Sequence, residues 1–216
     1  MSKLHSPISQ RLEMFLDFDK RLFFLIIVIF FLVIRIMTDN IILQSIPGYE
    51  ELDEEGTFTY MYIFNALNYI WTPFSLLWKF TVTAFIIWTG SFAFGYKIDF
   101  KQIWQVVMVA ELIFILPELL KFLLFLNPPA DISFIEIKNY YPLSLLSLFE
   151  TTDIEGKYLY PLRAINLFEL IYIIFLVLGF HTISKRPIKE SAWVITFSYT
   201  LCFLLWLLFY VLAYKG

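Results

Sequence analysis

The chain has 216 residues, of which 60% are hydrophobic, 20% aromatic and only 16% charged, and its formal net charge is −3. A water-soluble domain is typically about 25% charged, so this composition excludes an ordinary soluble protein and indicates an integral membrane protein. The small negative charge, without a basic stripe outside the apolar stretches, also excludes nucleic acid as an expected partner.

Five apolar stretches of the sequence are long enough to cross a membrane as helices, because about 20 residues at a rise of about 1.5 Å span about 30 Å of hydrocarbon. In chain order these stretches are residues 21–37, 69–94, 103–126, 162–180 and 192–214. No Gly/Ser-rich linker, polar block of domain size or fixed-period repeat divides them. We therefore predict an all-α fold: a polytopic membrane helix bundle with five transmembrane helices, forming a single membrane domain over residues 1–216.

Lysine and arginine are unevenly distributed among the segments that connect the predicted spans. Nine lie in the N-terminal tail and in the second and fourth connections, against three in the first and third connections and the C-terminus. Cytoplasmic loops of membrane proteins carry the excess of basic residues. The pattern therefore predicts a cytoplasmic N-terminus and a C-terminus outside.

The predicted outer connections are acidic and partly apolar. Five acidic residues occur within residues 50–55, a run typical of a solvated loop, with a cation or partner site as the alternative. In the third connection, Tyr141, Leu145 and Leu148 recur at helical spacing. We predict that this segment forms a short amphipathic helix in the outer interface of the bilayer.

The sequence lacks the signatures of common catalytic and metal sites. Its one cysteine, Cys202, falls inside the fifth predicted span, and His5 and His181 have no neighbouring ligand set. No HExxH, GxSxG or phosphate-binding glycine loop occurs, and no histidine or lysine motif accompanies the intramembrane serines. We therefore predict that the protein is not an enzyme and has no catalytic residues, no metal site and no cofactor.

Polar and charged residues interrupt the predicted spans. Seven of them are candidates for a buried polar network: Arg35, Lys79, Glu111, Glu118, Lys121, Asn166 and Glu169. An ionised side chain that faces lipid costs at least about 2.5–3.5 kcal/mol. At about 100° per residue, the two acids and the base of the third predicted span share one face, which we therefore expect to point into the bundle.

Counting residues from the cytoplasmic boundary predicts which of these groups meet. Lys79 and Glu118 both come out roughly 22 Å from that boundary, so we expect them to pair, whereas Glu111 and Glu169 have no base at their depth. Pro117 leaves a backbone carbonyl one turn earlier unpaired and therefore predicts a kink in the third span.

Two interpretations of these charges remain open. Three bases balance three acids, which favours a structural network that sets the register of the helices. Alternatively, a buried acid without a basic partner is protonated or carries a cation, which is typical of a proton or ion route.

The second half of the sequence resembles a known family of membrane proteins. "NLFELIY" enters the fourth predicted span, "LGFHTISK" leaves it, and "FKQIWQVVMVAELIFILPELL" leads into the third. These patterns, over residues 160–209 above all, resemble the Yip family, the Ypt-interacting five-span membrane proteins, and the lack of long polar tails is similar to its prokaryotic relatives. The resemblance implies five spans, a cytoplasmic N-terminus and a place in a prokaryotic cytoplasmic (inner) membrane, with an ER or Golgi membrane as the alternative.

These observations lead to two alternative functions. The first is a non-enzymatic, Yip-like membrane organiser or accessory subunit of a membrane complex, which contacts the lipid bilayer and either a protein partner or further copies of itself. The second is a small proton- or ion-coupled transporter or channel component that uses the buried carboxylates.

Overall fold

The computed structural model describes residues 18–44, 46, 48–126, 137, 140–149 and 154–214. Within these residues the chain is helical, and its one β-type pairing is an isolated bridge between Ser144 and Asn166. The predicted all-α class is therefore confirmed for this part of the chain. Most of the predicted cytoplasmic tail, including His5, lies outside the described residues.

The first half of the chain contains three helices and a composite fourth segment. Their bounds are α1 Lys20–Gln44, α2 Tyr49–Glu54, α3 Thr59–Ala93, α4 Phe100–Ala110, a 3-10 turn Glu111–Phe114, and α5 Ile115–Leu124. The second half contains a 3-10 turn Leu145–Leu148, α6 Gly156–Ala164, α7 Leu167–Ser184, α8 Ile188–Ile195, a π-helical turn Thr196–Thr200, and α9 Leu201–Ala213.

Four helices among the described residues are long and apolar enough to cross a membrane. They are α1, α3, α7 and the continuous helix Ile188–Ala213, which joins α8 to α9 through the π-helical turn. The predicted third span is also helical, but its 3-10 turn divides it into α4 and α5. These helices support an integral membrane protein that contacts the lipid bilayer.

Several helix boundaries differ from the prediction, and two of the differences have a clear local cause. α3 begins ten residues before the predicted start, because the helix continues through the polar Asn65 and Asn68, where the apolar run that defined the span is interrupted. The fourth predicted span is broken near its start, where the extended Asn166 separates α6 from α7. Its side chain accepts a hydrogen bond from the backbone N–H of Glu169 and thereby caps α7.

The segment predicted as an amphipathic helix forms a single 3-10 turn instead. Pro142 lacks a backbone N–H, and the next residue, Leu143, takes a left-handed conformation with φ of 55°, so an α-helix does not continue through them. The backbone there pairs with the chain before α7: the N–H of Leu145 donates to the carbonyl of Ile165 at 2.9 Å. Further along the third connection, the chain forms the short helix α6.

The core of the bundle draws on all the long helices. Its buried apolar side chains include Ile27 of α1, Phe80 of α3, Val107 of α4, Leu176 of α7 and Val194 of α8. α3 packs against α4 and the π-helical turn, α7 against α4 and α8, and α1 against α5. α4 is thus packed between α3 and α7, while α5 packs against α1 and keeps an exposed face.

The connections gather at two ends of the bundle. At one end, the hydroxyl of Tyr96, between α3 and α4, donates to Glu190 of α8 at 2.9 Å, and the guanidinium of Arg186 lies 5.0 Å from the Tyr96 ring centre. The hydrogen bond to Glu190, with desolvation and the negative charge of that carboxylate, raises the pKa of Tyr96. The second and fourth connections therefore lie together.

The first and third connections and the end of α9 lie at the opposite end of the bundle. Ile42 near the end of α1 packs with Phe125 just after α5, and the hydroxyl of Tyr69 in α3 donates to Asp39 of α1 at 2.8 Å. α6 packs against α9, where the rings of Tyr160 and Tyr210 are 4.6 Å apart.

Two glycines allow helices to approach closely. A Cβ atom on Gly90 of α3 would lie 2.4 Å from the Cβ of Ser198 in the π-helical turn, and one on Gly179 of α7 would lie 2.2 Å from Val106 Cγ1. Small residues at such contacts let helix backbones pack within a membrane.

We expect Gly90→Ala to lower the free energy of unfolding by about 1–3 kcal/mol, because the added methyl group overpacks the contact with Ser198 despite the higher helix propensity of alanine. Denaturation in mixed micelles measures the loss. Ala93→Val, on the exposed face of the same helix, is the control and should change stability little. Equal stability of Gly90→Ala and the wild type would contradict the close approach.

Candidate functional site

The interruption of the third predicted span places an acid in the centre of the bundle. Pro117 has no backbone N–H to donate to the carbonyl of Ile113, so a regular α-helical ladder is broken at this level. The chain forms the 3-10 turn Glu111–Phe114 there. Glu111, at the start of this turn, has none of its surface exposed.

Glu111 forms an ion pair with Lys79. The Lys79 ammonium group reaches its Oε1 from α3 and also lies 4.0 Å from the ring centre of Phe114. The Lys79 side chain is 46% exposed while that of Glu111 is 1% exposed. Lysine therefore keeps part of its aliphatic stem on the outer surface of the bundle and directs its charge inward.

Two buried polar atoms next to this pair make no hydrogen bond of regular geometry among the described residues, although Tyr172 lies close enough to interact with Thr83 and Glu111. They are the second carboxylate oxygen of Glu111, Oε2, and the hydroxyl of Tyr172 in α7. Tyr172 is completely buried, its ring centre is 5.0 Å from that of Phe114, and it interacts electrostatically with Glu111 and Glu169. Unpaired buried polar atoms are uncommon and costly, so they mark this region as a candidate site.

A second buried carboxylate lies beside these groups. The hydroxyl of Tyr199 donates to Glu169 Oε1 at 2.7 Å, and Glu169 is only 8% exposed. Tyr199 belongs to the π-helical turn, and its ring centre is 5.4 Å from that of Tyr172. Single π-helical turns occur frequently at functional sites, because they redirect side chains within a helix. We call Lys79, Glu111, Glu169, Tyr172 and Tyr199 the core cluster.

The other predicted network residues form a separate group nearer the end where α1 and α3 connect. Arg35 donates to the hydroxyl of Thr72 at 3.4 Å. Glu118 is half-buried, and the nearest charges that act on it include Lys121 and Arg35. The seven predicted residues are thus divided between two groups, with Asn166 serving as the cap of α7.

The predicted pairing of Lys79 with Glu118 was wrong, because Lys79 pairs with Glu111. α4 begins at Phe100, three residues before the predicted boundary. Glu111 therefore lies roughly 17 Å from the start of α4, and Lys79 lies roughly 21 Å from the end of α3, so the two are at similar depths. The larger rise of the 3-10 turn moves Glu118 to roughly 29 Å.

Sequence reasoning missed Tyr172 and Tyr199. Both phenols fall inside predicted apolar spans, away from the ends of those spans. A tyrosine far from the membrane interface needs a buried partner for its hydroxyl. The position of these two residues within the spans could therefore have predicted that they join a buried polar group.

Within the described residues, no group of three or more His, Cys, Asp or Glu side chains is arranged to hold a metal ion. The chain was also compared with protein-family models, curated proteins and solved structures, and none of these comparisons found a match. The core cluster therefore has to be interpreted from its own chemistry.

We expect Lys79→Met and Glu111→Gln to be coupled in a double-mutant cycle. The double variant should be more stable than the sum of the single losses by about 0.5–3 kcal/mol, because the two groups contact each other. Denaturation in mixed micelles provides the four free energies. A cycle on Lys79 and Glu118 is the matched control, and its two losses should be nearly additive. Coupling in the control cycle and not in the first would support a pair between Lys79 and Glu118 instead.

Proposed function

We propose that the protein is a non-enzymatic, five-span membrane protein of Yip-like organisation that acts as an accessory subunit. In this proposal it binds another membrane protein through one face of the long helix α3. The observation that carries the proposal is an exposed apolar stripe at the Thr59 end of α3, a helix that is longer than a bilayer requires.

The fifth crossing in this proposal is the composite segment α4–α5. It starts at the end where Tyr96 contacts Glu190 and finishes at the end where Phe125 packs with Ile42. Lys97, Lys101 and the basic residues between α7 and α8 belong to the first of these ends, which the excess of basic residues assigns to the cytoplasm.

α3 is longer than a bilayer requires. Its 35 residues extend about 52 Å at 1.5 Å per residue, against about 30 Å of hydrocarbon. A tilt of 40°, at the upper end of the observed range, would place only about 39 Å of the helix within the hydrocarbon. At least about 13 Å of α3, at its Thr59 end, therefore extends beyond the apolar layer.

A continuous apolar face begins in this extended part and continues toward the bilayer. Its exposed side chains recur at intervals of three or four residues, as one face of a helix requires. We call them the α3 stripe: Tyr60, Ile63, Phe64, Leu67, Ile70 and Trp71. A large apolar patch outside the bilayer is typical of a surface that another protein covers, and aromatic residues dominate the energy of such contacts.

The charges around the stripe favour a different protein over a second copy of the chain. No lysine or arginine occurs between Arg35 and Lys79, while Glu50, Glu51, Asp53, Glu54 and Glu55 lie just before α3. A symmetric contact through this region would bring like charges together, which opposes association. The expected partner therefore presents an apolar helix flanked by basic residues.

We expect the tagged wild-type chain to co-purify with a stoichiometric partner in mild detergent, and we expect the double variant Phe64→Glu, Leu67→Glu to lose it. Loss of buried aromatic and aliphatic contacts should weaken binding at least about tenfold, since hot-spot residues each contribute more than about 1 kcal/mol. Quantitative mass spectrometry of the purified complexes measures the ratio of partner to chain.

Leu212→Glu is the matched control, because Leu212 is equally exposed but lies on α9 at the same end of the bundle. It should retain the partner. A wild-type chain that purifies alone, a partner lost equally in both variants, or a homodimer that depends on the α3 stripe would each contradict the proposal.

A further inference from the structure

The core cluster contains more negative than positive charge. Two carboxylates, Glu111 and Glu169, face one ammonium group, Lys79, and electrostatic interactions connect all three. If every group were ionised, the cluster would carry a net charge of −1 inside the membrane core. An uncompensated charge in such a medium costs several kcal/mol, so a further cation is needed to neutralise it.

Among the described residues, Lys79 is the base that interacts with both carboxylates, while Tyr141 interacts electrostatically with both of them and with Glu118 and Arg163. α3 contributes Lys79 and Thr83 to the cluster and its surroundings. α7 contributes Glu169 and Tyr172, and the π-helical turn contributes Tyr199. The buried side chains that α1 contributes to this core are apolar, Ile27 and Val28 among them. Arg35 acts on the separate group around Glu118.

The unpaired atoms show where a proton would be accommodated. Glu111 Oε2 and the Tyr172 hydroxyl are both buried and make no hydrogen bond of regular geometry among the described residues, although the two side chains interact. A proton on a carboxyl oxygen changes that oxygen from an acceptor into a donor, which allows it to bond to a phenol oxygen. Tyr199 already donates to Glu169, and its ring packs against that of Tyr172, so the two phenols lie between the two carboxyl groups.

We propose that the core cluster is a binding site for one exchangeable proton, shared between the carboxyl groups of Glu111 and Glu169. Uptake forms one O–H bond, converts one carboxylate into a carboxylic acid and brings the net charge of the cluster from −1 to 0. Release breaks the same O–H bond and returns the proton to water. The site goes beyond the proposed accessory role, and it does not depend on any partner.

The charge count gives a different proton number for each variant. With either acid replaced by glutamine, the remaining carboxylate and Lys79 neutralise each other, so no proton is bound. With Lys79 replaced by methionine, neither carboxylate has a counter-charge, so two protons are bound. The wild type lies between these cases, with one.

Infrared difference spectroscopy of the full chain, purified alone and reconstituted in bilayers, tests this count. The probe is the C=O stretch of a protonated carboxyl group, identified by its shift in D₂O and by ¹³C-labelled glutamate. We expect one protonated carboxyl per chain in the wild type at neutral pH, none in Glu111→Gln or Glu169→Gln, and two in Lys79→Met. Tyr199→Phe should keep the band but change its frequency, because it removes a hydrogen bond to Glu169.

Glu118→Gln is the control, since Glu118 belongs to the other group, and any band that it removes is subtracted from all spectra. A wild type without a protonated carboxyl in the cluster, or a band that survives in both Glu111→Gln and Glu169→Gln, would overturn the proposal. A band that appears only when Na⁺ is removed would assign the site to a metal cation and overturn it as well. Because the purified chain is measured, failure here leaves the accessory role untouched.

Discussion

The ion pair between Lys79 and Glu111 is the interaction on which the arrangement of the membrane core depends. Hydrocarbon offers an ionised group no solvent, so each buried charge has to find its counter-charge inside the protein. This requirement sets the register of α3 against α4 and directs the 3-10 turn inward, because Glu111 has to reach a lysine that enters from the surface of α3.

Two departures from the regular α-helix serve the same centre. The 3-10 turn that precedes Pro117 presents Glu111, and the π-helical turn in the last long helix presents Tyr199 to Glu169. Such turns leave backbone groups less well paired, and a membrane protein tolerates them where the backbone is enclosed by neighbouring helices. The close contact of Gly90 with Ser198 brings the π-helical turn against α3 and so encloses the cluster from that side.

α3 connects the interior of the protein with its surroundings. The same helix supplies Lys79 to the core cluster, packs against α4 and the π-helical turn, and extends its apolar stripe beyond the bilayer. A partner bound to the stripe would therefore contact the element that carries the only base of the core cluster. In the proposal, the structural and the proton-binding interpretations of the buried charges become compatible, since Lys79 balances one negative charge of the cluster and the shared proton balances the other.

The sequence by itself determined the class of the protein, because hydrophobic stretches of about 20 residues have few stable solutions other than membrane helices. It also identified most of the buried charges, since a charge within an apolar run is conspicuous. Only the tertiary structure decided which acid meets Lys79, where the helices are interrupted, and that Tyr172 and Tyr199 join the cluster. Those outcomes depend on the relative height and rotation of neighbouring helices. A shift of a few ångströms changes the partner of a side chain, and counting residues does not resolve such a shift.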